Sequence, residues 1–359
     1  MKSKYWLVGW IVFVMISLNV IGEFVYKIDP YFHYHKPDID KYYYILNNQR
    51  SQNDGISKHF DYDAIITGTS MTENFKTTEF DEIFGVNSIK VPYSGGYYKE
   101  INDNLAVAFN NNPQLNTIIR CLDYNALLID KDKMRTDLGK YPTYLYDSNL
   151  FNDVFYLFNK DVIFSRSYSI EVNTKKEGFQ PGIQSFDSYS RWQDNASFGS
   201  KTVLANGLEL TTSEKTHHLT EEMKKVIYDN ITQNVTSLAD KYKDATFYYF
   251  FSPYSVVWWR SLINKGVEYR QVEAEQYAIE LILEHENIKL FSFNNCFDIT
   301  TNLNNYSDAM HYGEWINSFI LHKMHDGEYL LTKENYMEYI EKEIQFYTTF
   351  DYESLIGQE

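Results

Sequence analysis

The chain has 359 residues, 44% hydrophobic and 17% aromatic, with 32 Tyr and 24 Phe. That is enough apolar surface for one large core or two smaller ones, and it excludes a disordered chain. A formal net charge of −16 argues against a nucleic-acid backbone as partner, although a local basic pocket could still receive a polyanion. Cys121 and Cys296 fall in separate apolar runs that read as strands, without a neighbouring Cys or His at ligand spacing. Buried thiols are therefore expected, rather than a disulfide or a metal pair.

Lys2 and Lys4 precede an uncharged apolar run over residues 5–22, closed by Glu23. At about 1.5 Å per residue the run approaches the thickness of a bilayer core, with Glu23 and Tyr26 at the interface. It is apolar on every face, unlike the stripe of a helix packed on a soluble core. No small-x-small cleavage site closes it, so residues 1–26 read as a retained membrane anchor. The flanking lysines place the N-terminus in the cytoplasm and everything after the helix outside. Residues 27–60 are aromatic and polar with no clear period and read as a membrane-proximal lead, with His33 and His35 as surface histidines.

From Tyr62 onward strand and helix signals alternate. Strands are expected at 64–67, 88–91, 117–123, 246–251 and 288–293. Helices are expected near 77–84, 98–109, 220–235, 268–285 and 312–324, with Thr220 as an N-cap. Residues 130–215 break this rhythm and read as a large insertion or cap holding one short helix near 151–160, because a structureless loop of that length is improbable in a compact domain. The core is then 61–129 together with 216–330, followed by a C-terminal amphipathic helix within 331–359. Strands alternating with helices imply an α/β fold with a parallel sheet covered on both faces.

Two stretches carry candidate chemistry. In the first, residues 61–75, an apolar strand runs through Gly68 into a helix start, and Ser70 lands at the junction. A hydroxyl there sits at the carboxyl edge of the sheet beside the unpaired N–H groups of a helix N-terminus, where it can serve as a nucleophile or merely as a cap. The second is Asp308-Ala-Met-His311, in the loop after the last strand. Loops after the strands of such a sheet gather on one edge, so His311 can approach Ser70. A serine needs a base to become nucleophilic, and the base needs an acid to fix its tautomer; a three-residue separation lets Asp308 reach the far nitrogen of His311. The pairs His217-His218 and His322-x-x-His325 lack carboxylates at ligand spacing, which disfavours a metal hydrolase.

With these residues the chain resembles the SGNH (GDSL-like) hydrolase superfamily over about residues 60–325, interrupted by the insertion. The resemblance implies a flavodoxin-like parallel sheet in a three-layer α/β/α arrangement, with Ser70, Asp308 and His311 as a catalytic triad and no cofactor or metal. It also implies an oxyanion hole from the N–H groups of Met71 and Gly95 and the Asn125 amide. Asp123-Tyr-Asn125-Ala126 lacks the Gly and second Asp that flank this Asn in the family, and Thr72 stands where a Gly-x-Ser-x-Gly elbow would have its second Gly. An anchor, an external SGNH-like domain and a middle insertion look like bacterial proteins that acylate or deacylate cell-surface polymers. The expected function is thus that of an extracytoplasmic, single-pass serine esterase or O-acyltransferase. Its expected partners are a cell-envelope glycan or teichoic-acid-like polymer, the membrane, and a membrane-bound O-acyltransferase, with no nucleic acid. The competing reading is a non-catalytic polymer-binding or scaffold protein. Aromatics such as Tyr141, Tyr144, Tyr146 and Trp192 could then stack on sugars, or could simply pack the insertion.

Overall fold

The structure, a computed structural model, describes residues 2–356. They form two compact units, one built from the residues up to 61 together with 139–185 and the other from 62–138 together with those from 186 onward. The insertion expected over 130–215 is thus divided: 139–185 joins the N-terminal segment, while 130–138 and 186–215 belong with the sheet.

In the first unit, helix α1 (Lys2–Ile28) is apolar enough to cross a membrane, and over residues 4–22 none of its side chains is buried. It ends at Asp29, whose backbone is left-handed (φ +45°) and whose carboxylate is completely buried. That carboxylate accepts bonds from the backbone N–H groups of His33 (3.0 Å), Tyr34 (2.7 Å) and His35 (3.1 Å) and from the Tyr156 hydroxyl (2.7 Å). Four donors on one carboxylate offset the cost of burying it. Val25, Tyr31, Leu145, Tyr156 and Val162 pack together beside it. His33 is not a surface residue: its Nε2 lies 3.2 Å from Asp153, and both side chains are nearly buried. Helix α2 (Gln49–His59) fills a stretch with no readable period, because its buried face carries the polar Gln52, Asn53, Asp54 and Ser57; Gln52 accepts the N–H groups of Asn47 and Asn48, and Asp54 is ion-paired with Lys58. A two-residue parallel pairing, Tyr43↔Gly182 and Tyr44↔Ile183, ties the unit's two chain segments.

The second unit holds a five-stranded, wholly parallel sheet: β1 (Ala64–Gly68), β2 (Ser88–Pro92), β3 (Thr117–Cys121), β4 (Thr246–Phe251) and β5 (Ile288–Ser292), in the order 2-1-3-4-5. This is one of the common doubly wound orders, with its topological switch between β1 and β3. The strands are near-continuous apolar runs because helices cover both faces. Helices α3 (Thr77–Phe84), α4 (Tyr98–Asn111), α5 (Glu221–Ile231), α6 (Val256–Lys265), α7 (Glu268–Ile282), α8 (Glu314–Asp326) and α9 (Tyr336–Thr349) complete the frame. Thr220 caps α5 through Met223 N–H as expected. Helix α6 had no sequence expectation: Val256, Trp258, Trp259 and Ile263 are buried together with Arg260, so its apolar positions show no clean stripe. Cys121 lies in β3, whereas Cys296 lies beyond the end of β5 rather than in a strand; both are free and buried.

Gly68 sets how β1 ends. Its φ is +146°, and a Cβ there would fall 2.7 Å from Thr72 Cγ2 and 3.0 Å from Cys121 Cβ. Gly68→Ala should therefore destabilise the chain by roughly 1–3 kcal/mol, combining backbone strain with a clash against β3. An unchanged fluorescence melt of the detergent-solubilised variant would show that the turn tolerates a Cβ.

Candidate active site

The carboxyl edge of β1 turns immediately into a 3-10 turn, Ser70–Thr72. The turn is held from several sides. Thr69 donates its hydroxyl to Asp123 beyond β3 (3.1 Å), and Thr72 donates to the Thr69 carbonyl (2.8 Å). Asn317 of α8 donates to the Met71 carbonyl (2.9 Å). Lys90 of β2, wholly buried, donates its ammonium to the carbonyls of Glu73 (2.5 Å) and Phe75 (2.8 Å). Burial pushes the Lys90 pKa down to about 7, against the pull of the Asp187 and Glu73 carboxylates.

The loop carrying Asp308 and His311 reaches this turn. Ser70 Oγ and His311 Nε2 are 2.8 Å apart, and His311 Nδ1 is 2.7 Å from Asp308 Oδ2. The three side chains, separated by 241 and 3 residues in sequence, thus stand in the order of a Ser-His-Asp relay. The other Asp308 oxygen accepts the backbone N–H groups of Met310 and His311 (both 2.8 Å), which fixes the carboxylate despite its half-exposed position. Burial alone would lower the His311 pKa, but the hydrogen bond and charge of Asp308, with Asp123 and Glu73 farther off, outweigh it and leave the imidazole above its ordinary value. Burial likewise would raise Asp308, but His311 and the two N–H groups hold it below the usual carboxylate range.

The three oxyanion candidates are placed differently. Met71 is buried within the turn itself. Asn125 follows β3 on an exposed turn, and its Nδ2 lies 3.5 Å from Met310 Sδ, which brings its amide to the His311 loop. Gly95 follows β2 at the same sheet edge, with φ +55°. The Arg135 guanidinium lies over it, so a Cβ at Gly95 would come within 2.5 Å of Nη1. That nitrogen donates to the Ser94 carbonyl (2.6 Å), while Nε and Nη2 engage Asp137.

Trp192 is the residue that sequence reasoning misplaced. It belongs to the sheet unit, its indole N–H donates to the Ser70 carbonyl (3.2 Å), and its ring meets the His311 imidazole edge-on with centroids 5.5 Å apart. Asn74 accepts the backbone N–H groups of Trp192 (3.1 Å) and Gln193 (3.2 Å), and Arg191 is paired with Glu314 at the start of α8. Phe198 stacks on Trp192 and contacts the half-exposed Trp315. Asp123, Lys90 and Arg135 were also missed. A lysine in the middle of an otherwise apolar strand was the only available signal, and it pointed to Lys90. The histidines set aside as lacking carboxylates do find them across the fold, His218 with Glu273 (2.6 Å) and His322 with Glu79 (3.8 Å). Comparisons with protein-family models, with curated proteins and with solved structures find no match.

Two tests follow from these charges. A neutral His311 is needed for it to take a proton, so any activity that uses it should fall as pH drops through a midpoint above about 6.5. Asp308→Asn should move that midpoint down and lower the rate, because burial is then opposed only by the more weakly acting Asp123 and Glu73; a midpoint unchanged in pH–rate profiles would separate Asp308 from His311. For Lys90, whose folded pKa is depressed, the folded state gains stability as pH rises from about 7 towards the ordinary value of about 10.4. The stability of the wild type relative to Lys90→Met should therefore rise across that interval in denaturation series, and a pH-independent difference would show that Lys90 keeps its proton.

Proposed function

We propose that the chain is an extracytoplasmic, membrane-anchored serine esterase or O-acyltransferase of the SGNH type, acting on acyl esters of a cell-envelope polysaccharide or teichoic-acid-like polymer. The observation that carries this reading is the hydrogen-bonded order Ser70, His311, Asp308 at the carboxyl edge of a parallel sheet. A scaffold protein has no need of a serine within 2.8 Å of an imidazole whose far nitrogen is held by a carboxylate.

In the proposed reaction Ser70 Oγ attacks the acyl carbonyl carbon as its proton passes to His311 Nε2. Asp308 stabilises the imidazolium that forms. The carbonyl oxygen, now an oxyanion, is held by the N–H groups of Met71 and Gly95 and by the Asn125 amide; losing one such donor costs about a hundredfold or more in rate. Collapse of the intermediate breaks the ester C–O bond, and the departing alkoxide takes the proton from His311, leaving acyl-Ser70. A water or a sugar hydroxyl then repeats the attack with His311 as base, giving free acid or a new ester. The connected aromatic faces of Trp192, Phe198 and Trp315 beside His311 suit the flat apolar faces of sugar rings. The strand order 2-1-3-4-5 and the apolar helix α1 support the finer fold and location.

Ser70→Ala in the full chain should reduce cleavage of a small activated acetyl ester by roughly a thousandfold or more, with His311→Ala close behind, because triad members act as a unit. The Ser70→Ala chain should melt as the wild type does, since a single half-buried hydroxyl adds little to stability. A transferase that excludes water would still form acyl-Ser70, detectable by mass spectrometry, and transfer it to an acceptor glycan. Absence of hydrolysis, transfer and adduct in a folded wild type would overturn the reading.

A further inference from the structure

Within the first unit, residues 150–158, a turn leading into the short helix Val154–Leu157, expose several large apolar side chains. Phe151 is 92% exposed and Leu150 76%. Val154, Phe155 and Phe158, in and beside the single helical turn Val154–Leu157, are exposed as well, and Phe164 is exposed one short segment later. The acid within this stretch, Asp153, is turned away: it is 4% exposed and occupied by His33 Nε2 (3.2 Å) and the Tyr34 hydroxyl (3.0 Å). The exposed large side chains of residues 150–158 are therefore all apolar. A contiguous exposed patch of this kind marks an interaction surface.

Its position along α1 says what covers it. A Cβ on Gly22 would lie 3.8 Å from the tip of Phe158, so the turn packs directly on the helix. Leu157 and Phe158 share a groove of about 570 Å³ with Met15, Leu18, Asn19, Gly22, Glu23 and Tyr26. Met15 and Leu18 lie one to two helical turns below Glu23, the first charge after the apolar run, roughly 8–12 Å into that run at the rise of an α-helix. The lower part of the turn thus sits level with side chains that a bilayer would surround. Val25, Tyr156 and Val162 bury themselves in one cluster, which fixes the turn to α1. Lys27 is exposed just beyond the apolar positions of α1, where anionic headgroups would meet it, and the exposed Lys160 and Asp161 lie between Phe158 and Phe164.

We propose that residues 150–158 with Phe164 are a second membrane-contacting surface, immersed in the lipid interface beside α1. It would act as an interfacial wedge that fixes the tilt and rotation of this unit on the bilayer, which a lone spanning helix leaves free. The proposal rests on α1 spanning a membrane and is independent of the ester chemistry.

The test uses the full chain reconstituted in vesicles of phosphatidylcholine and phosphatidylglycerol, with an environment-sensitive fluorophore on Phe151→Cys or, as the hydrocarbon reference, on Phe13→Cys. Cys121 and Cys296 are buried and their thiols are pushed up by that burial, so neither competes for label. At Phe151 the emission should be blue-shifted relative to the dye in buffer and should lose most of its intensity when doxyl-labelled lipid is included, as at Phe13. A water-like, unquenched signal at Phe151 with a quenched Phe13 would overturn the proposal while leaving the span intact. A blue-shifted signal that doxyl lipid does not quench would show the patch covered by protein, a second copy or a membrane partner, and would overturn it equally. A water-like Phe13 would remove the span and the proposal with it.

Discussion

The absence of a side chain at Gly68 is the constraint on which the candidate site depends. β1 can pass within contact distance of Cys121 on β3, and Thr72 can fold back over the strand end, only because nothing projects from residue 68. The strand's last residue pairs with Pro92 in register and the chain then leaves the sheet at once, delivering Ser70 to the switch between β1 and β3. Side chains from four directions then hold the turn: Lys90 from β2, Asp123 from beyond β3, Asn317 from α8, and Trp192. Each bond satisfies a backbone or hydroxyl group that a tight, partly buried turn would otherwise leave unpaired.

The electrostatics of the site are a balance of two opposed effects on one ring. Burial beneath Trp192 disfavours the imidazolium, while Asp308, Asp123 and Glu73 favour it, and the carboxylates prevail. Asp308 does this from a half-exposed position because its orientation is fixed locally, by N–H groups two and three residues along its own loop. Solvent screens such a pair, so its contribution to stability is small. Its effect on the tautomer is not reduced in the same way, since a hydrogen bond to Nδ1 decides which nitrogen faces Ser70. The imidazolium–carboxylate attraction stabilises the fold below the ordinary histidine pKa and is lost as pH rises through the elevated one.

In the first unit one helix has two different surroundings along its length. Along residues 5–22 α1 presents apolar side chains on every face, whereas Val25 and Ile28 are buried in protein. The change falls at Asp29, whose left-handed backbone stops the helix and whose buried carboxylate gathers three N–H groups and a phenol. That hub holds the chain just past the helix end, where Tyr156 and its neighbours pack with Val25 of α1.

By itself the sequence determined the elements whose pattern is local. The five strands follow from short apolar runs, α3 and α5 from period and capping, and α1 from an uncharged run of bilayer length. Ser70, Asp308 and His311 were legible because strand-end and loop positions in an alternating chain must share one sheet edge. What depends on partners distant in sequence was decided only by tertiary structure. The buried polar face of α2, the carboxylates that pair with His33 and His218, and the reassignment of residues 186–215 to the sheet unit have no local period to betray them. Trp192 lies next to His311 because Asn74 and Glu314 hold its loop there, and Lys90 is buried because the turn after β1 brings carbonyls to it. Hydrophobic periodicity records which face of an element is covered; it carries no record of which hydrogen-bonding group, a hundred residues away, satisfies a polar one.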